Sequence, residues 1–188
     1  MRDHVRLAMS GYRPAEIALE GYRDSAVLVL LHEQDDAEHL LFQVRSSSLL
    51  LHSGEIGFPG GRRQRDDDTL LDTALREVEE EIGVPRDHVD VFGQLDDTLT
   101  FSSNYRIRPY VGALSLGPRE FAIDAGEVHE LLAVPLAFLQ SPAARGWYPI
   151  DRAGVVESTP AFIYREHVIW GAPARILDRF LELVEVRV

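Results

Sequence analysis

The apolar positions of this chain fall into short runs and two helical stripes, separated by polar or glycine-rich punctuation. Residues 26–31 (AVLVLL) are too short for a lone helix and aliphatic throughout, which predicts a strand buried on both faces near the middle of a sheet. The polar turn HEQDDAEH and a second apolar run over 40–44 predict an antiparallel hairpin. The segment HSGEIGFPGG, with glycines at 54, 57, 60 and 61 and Pro59, marks backbone that turns tightly or approaches something closely. From about 68 to 82 the period changes, and Leu71, Ala74, Leu75, Val78 and Ile82 recur at threes and fours, predicting an amphipathic helix. Aspartates 66, 67 and 68 suit its N-terminus, and Gly83 with Pro85 stops it. Further strands are expected over 89–95, 107–114 and 167–170, and a mixed loop and short helix over 127–138. A closing helix from about 173 to 184 turns Ile176, Leu177, Phe180, Leu181 and Val184 inward. Helices and strands interleave, so the expected architecture is a single α/β domain over 1–188 with its sheet covered on two faces. Residues 1–24 are its N-terminal extension and 173–188 its closing helix.

Composition narrows the chemistry. There is no cysteine, which removes disulfides, thiolate metal sites and thiol nucleophiles, and fits a reducing cytoplasm. No stretch reaches the roughly 20 apolar residues of a membrane helix, so no membrane partner is expected. The formal charge of -12 opposes binding to nucleic acid and to anionic lipid, although a divalent cation and a few arginines can reverse the potential within one cleft. A small anionic substrate is therefore compatible with the charge.

Within the central helix, Glu77, Glu79, Glu80 and Glu81 follow Arg76. At about 100° per residue, Glu77, Glu80 and Glu81 share a sector beside the apolar stripe while Glu79 points elsewhere. Like charges three and four apart destabilise a helix by a few tenths of a kcal/mol per pair, so such a cluster needs solvent or a cation. Solvation alone is the default for an acid-rich face. The glycine-rich turn just upstream and the adjoining Arg76 favour magnesium, which prefers a few carboxylates plus water and phosphate oxygens.

Positions 76–84, REVEEEIGV, resemble at every specified place the second half of the Nudix box, G-x5-E-x7-R-E-U-x-E-E-x-G-U with U aliphatic. The first half departs: Asp67 stands where glutamate is usual, and eight residues rather than seven separate it from Arg76, an expansion that the CoA-directed branch shows. Segment 41–61, LFQVRSSSLLLHSGEIGFPGG, resembles the motif of the coenzyme A pyrophosphatase branch, LLTxR[SA]xxLRxHxGxVxFPGG. Phe42 and Gln43 replace Leu-Thr, Leu50 replaces an arginine and Ile56 replaces valine. TFSSNYRIRPYVG, EVHELLAVPL and IWGAPARIL also look like family segments, extending the resemblance over roughly 25–178.

The resemblance implies a Nudix-type α/β/α sandwich around a mixed sheet, and a hydrolase that cleaves coenzyme A or its thioesters to 3′,5′-ADP and 4′-phosphopantetheine by metal-activated water. It assigns the divalent metal, Mg2+ with Mn2+ as the alternative, to Glu77, Glu80, Glu81 and Gly61. Arg76 would orient the acids and Glu77 would also take a proton. Substrate contacts fall to Arg45, Ser46, His52, Phe58, Gly60 and Gly61. Plainer readings stand beside these: Arg45 pairing with a surface acid, His52 as a loop histidine, and glycines that only shape a turn. Glu127 reads first as a solvated loop acid and second as a base or metal ligand, and Trp147 and Trp170 read as core or lid packing. The rival functions are another Nudix substrate, such as ADP-ribose, NADH or a nucleoside triphosphate, and a non-catalytic nucleotide sensor. Mutually repelling acids argue against the sensor.

Overall fold

The aliphatic run at 26–31 lies inside a twelve-residue strand that the rest of the fold is built around. The computed structural model describes residues 1–46, 54–100, 103–115, 120–152 and 154–185. In chain order its elements are α1 (Arg2–Ser10), β1 (Arg23–Gln34), β2 (Ala37–Arg45), β3 (Ile56–Gly57), β4 (Gly60–Arg62) and α2 (Leu70–Ile82). There follow β5 (Val89–Gln94), β6 (Thr98–Leu99), β7 (Tyr105–Leu114), β8 (Val128–Pro135) and α3 (Leu136–Leu139). β9 (Arg145–Arg152), β10 (Val155–Tyr164), β11 (His167–Trp170) and α4 (Gly171–Val184) complete the chain.

The main sheet has the order β3-β2-β1-β7-β5, with β8 on β2, β4 on β1 and β6 on β7. β1 and β7 run parallel and the other pairs antiparallel, so the sheet is mixed, as expected. The predicted β1–β2 hairpin closes through Asp35 and Asp36, both at positive φ (50° and 59°), the two-residue turn whose twist suits paired strands. Because strand side chains alternate, β1 feeds two cores. Ala26, Leu28 and Leu30 meet Ala74, Val78 and Ile82 of α2. Val29 and Leu31 join the core on the other face, where Leu177 and Phe180 of α4 cluster with Met9 of α1. A second, three-stranded antiparallel sheet, β11-β10-β9, leads into α4.

Four details differ from the sequence reading. The N-cap of α2 is Thr69, in a reciprocal capping box with Asp72, so aspartates 66–68 precede the helix instead of capping it. Residues 128–135, read as loop and short helix, form a strand, because the backbone partners offered by β2 override the helix-forming Glu, Leu and Ala; only Leu136–Leu139 is helical. The N-terminal extension contains α1, anchored by buried Val5 and Met9 and by Arg2, which donates to Glu38 at 2.6 Å. Trp147, read as packing, is 68% exposed on the β9–β10 hairpin, whereas half-buried Trp170 packs against Tyr148. Among the described residues no helix is long and apolar enough to cross a membrane.

Candidate active site

The site forms where two glycines let a helix come down onto a strand. Gly60 and Gly61 pair with Val27 and Ala26 of β1. Gly60 has φ 149°, and a Cβ there would stand 2.3 Å from the Ala26 carbonyl oxygen. A Cβ on Gly61 would stand 2.5 Å from the carboxylate of Glu77, so the missing side chain is what gives that acid its place. One turn further along α2, Glu81 is only 2% exposed and is held at both oxygens: the Gly60 N–H donates to Oε2 and the Gln43 amide to Oε1, each at 2.8 Å.

A third acid arrives from the far side. The Ser46 N–H just past β2 donates to the Glu127 carbonyl (2.9 Å), and the Asp124 N–H donates to the Glu81 carbonyl (3.0 Å), which ties the loop before β8 to the C-terminal turn of α2. Glu77, Glu81 and Glu127 thereby each offer a carboxylate oxygen within 4.8 Å of the others. Glu127 is thus brought to the acids, against the reading of it as a loop acid in solvent, although its side chain stays exposed. Glu80 stands outside this group, its carboxylate 56% exposed and accepting from Arg76 Nη1 at 2.8 Å.

Arg76 organises the flank. Its Nε and Nη2 grip the two oxygens of Asp67 at 2.9 and 3.0 Å, its Nη1 reaches Glu77 at 3.0 Å, and Nη2 also donates to the Arg62 carbonyl at 3.0 Å. Asp67 also accepts from the Gln64 N–H and the Thr73 hydroxyl. The guanidinium and these donors hold the buried Asp67 carboxyl down to about 2, and Asp67 is not one of the acids that converge, so it stabilises Arg76 and leaves the cation to others. The reverse holds for the helix acids. Burial pushes Glu81 up to about 8, and burial raises Glu77 as well against the pull of Arg76.

Two buried carboxylates with too little positive charge nearby, and a third within reach, make a hard oxygen donor set. That chemistry fits a divalent cation of the magnesium, manganese or calcium kind, which would return both helix acids to the ionised form. Arg45 lies at the end of β2, half-buried and close enough to Glu81 to favour its charge, and Ser46 is buried beside it. Phe58 is 3% exposed and packs on Phe42 with ring centres 4.6 Å apart, in the core on the α4 side of the sheet. His52 lies outside the described residues. Of two further features of this site, Gln43 carries a sequence signal as a lone polar residue interrupting an apolar run, whereas the Asp67–Arg76 pairing carries none.

Comparison with known proteins identifies the family. The family model described as the NUDIX domain matches residues 22–161. An uncharacterized Nudix hydrolase of Photorhabdus laumondii, NudL, is 35% identical over 147 residues, covering 78% of both chains. Among solved structures, a MutT/nudix family protein from Enterococcus faecalis superposes with a TM-score of 0.57 over 98% of this chain and 69% of its own, at 14% identity. The NUDIX domain of Shewanella oneidensis NrtR, solved with ADP ribose, gives 0.50 over 72% and 86% at 21% identity, a likeness of fold. Since the family model runs from the start of β1 through the acid helix and into β10, the chain belongs to the Nudix hydrolases, enzymes that act on phosphoric anhydrides.

Proposed function

We propose that the chain hydrolyses the diphosphate of coenzyme A or a CoA thioester, releasing 3′,5′-ADP and 4′-phosphopantetheine or its acylated form, with Mg2+ as the cation and Mn2+ able to replace it. One observation carries this reading. Two parts of the segment resembling the CoA-directed motif lie at the acids: Arg45 and Ser46 from its first half and Gly60 and Gly61 from its end all adjoin Glu77, Glu81 or Glu127.

In this reading Glu77, Glu81 and Glu127 hold the cation. Glu80 and the Gly61 carbonyl join them, since the bond from Glu80 to Arg76 is a surface pair worth about 0–1 kcal/mol and yields to a divalent charge. When bound, the cation offsets charge building on the diphosphate and makes water more acidic. Glu77 accepts the proton of the attacking water, and Arg76 holds its carboxylate toward the reacting centre. Arg45 pairs with a phosphate oxygen and Ser46 lines the approach, with His52 a further substrate contact. The glycines admit the diphosphate against bare backbone, and Phe58, packed on Phe42, anchors the segment that leads into them. A cytoplasmic location suits a substrate of this kind.

The test compares turnover of CoA, dephospho-CoA and ADP-ribose with Mg2+ present. Preference for CoA is expected; preference for ADP-ribose would keep the acid helix and overturn the reading of segment 41–61.

A further inference from the structure

On β2, Leu41, Gln43 and Arg45 alternate onto the face that α2 covers, so one strand passes from apolar core through an amide to a cation beneath the same helix. Gln43 occupies the step where the core gives way to the acids. It is 3% exposed and pairs across the sheet with Gly57 and Leu131, neither of which offers a polar side chain. Its amide nitrogen donates to Glu81 Oε1 at 2.8 Å, while its own Oε1, equally buried, accepts no hydrogen bond from the described residues. An amide buried with half of its bonding unmet is costly, and an apolar residue of the same shape would remove that cost. The side chain is therefore better explained by what it does to Glu81 than by what it adds to the fold.

Resting on the reading of the helix acids as cation ligands, we propose that Gln43 is the positioning residue of this site, fixing the Glu81 carboxylate so that it faces Glu77 and Glu127 and thereby setting cation affinity. Gly60 N–H and the Gln43 amide take one oxygen of Glu81 each, and together they define both the position of that carboxylate and its rotation. The donor at 60 is a backbone N–H. The amide donor is a departure from the CoA-directed motif that segment 41–61 resembles, which has threonine at this place, a side chain two heavy atoms shorter in reach. Partners that orient metal ligands commonly account for 10–100-fold in affinity.

The experiment titrates the metal-stripped full-length protein with Mn2+ and follows free Mn2+ by electron paramagnetic resonance, with no substrate present. Gln43→Met keeps the length and removes both polar atoms, and it is expected to weaken Mn2+ binding at least tenfold while the Tm of the metal-free protein holds or rises. Gln43→Thr, whose hydroxyl stops short of Glu81, is expected to weaken binding in the same direction. A merely structural glutamine would lower Tm and leave the affinity alone, and Mn2+ affinity within twofold of wild type in both variants overturns the inference. Wild-type protein that binds no Mn2+ would overturn the cation reading and the inference with it, so the two failures are told apart by the wild-type titration.

Discussion

Asp67→Asn separates the electrostatic clamp on Arg76 from the chemistry above it. Asp67 is 6% exposed, and its carboxyl is held at about 2 against an ordinary 3.8. At about 1.36 kcal/mol per pH unit, that depression corresponds to about 2 kcal/mol of stability at neutral pH. The folded pKa lies below the unfolded one, so the contribution is present in full above about pH 4 and disappears as pH falls through about 2, with roughly half left at pH 3. Asparagine keeps the size and can still accept from Thr73, and Arg76 keeps Glu77 and Glu80, so no cation is stranded. Urea unfolding of wild type and variant is then expected to show a gap of about 2 kcal/mol at pH 7 that narrows to about half at pH 3, with equal m-values. A gap of the same size at both pH values would refute the electrostatic origin, and a gap near zero at pH 7 would refute the clamp.

Glu81→Gln is expected to lower kcat by orders of magnitude while the fold survives, because a cation ligand contributes several kcal/mol to the transition state; near-normal steady-state turnover would remove Glu81 from the site. In chelator the same variant tests the pKa of about 8. With the folded value above the unfolded, wild type loses stability as pH rises toward 8, so Glu81→Gln should exceed wild type in Tm at pH 9 and approach it toward pH 5. Gly61→Ala places a methyl group 2.5 Å from the Glu77 carboxylate and should displace that acid, lowering both Mn2+ affinity and kcat at least tenfold. Arg45→Ala should mainly raise KM for CoA, and an unchanged KM would contradict its binding role.

How much of this was legible follows from the kind of signal involved. β1, the β1–β2 hairpin, α2 and α4 each carry a local period or stop, such as the apolar stripe ending at Gly83, which caps α2 in the left-handed conformation at φ 67°. Strand β8 was misread because its composition favours helix while its conformation is decided by β2, more than 80 residues earlier. The β9–β10 hairpin carries no legible period, because Trp147, Val155 and Val156 are exposed and blur any inside–outside alternation. α1 buries only Val5 and Met9, too few to show as a stripe. At the site, helical periodicity correctly set Glu77 and Glu81 on one flank, but an angle about a helix axis cannot say where a distant loop will arrive. Glu127 is brought to the acids by a loop tied down through the Ser46 and Asp124 backbone bonds, and Glu80 turns to Arg76 because that guanidinium lies one turn back.

Cleavage of CoA with Mg2+ in oxygen-18 water, followed by mass analysis, addresses the proposed reaction most directly. Wild-type protein is expected to yield 3′,5′-ADP and 4′-phosphopantetheine in equal amounts, with one oxygen-18 atom on a single product, and Glu81→Gln to yield neither at a comparable rate. Intact CoA after prolonged incubation with wild type and either Mg2+ or Mn2+ would contradict the account.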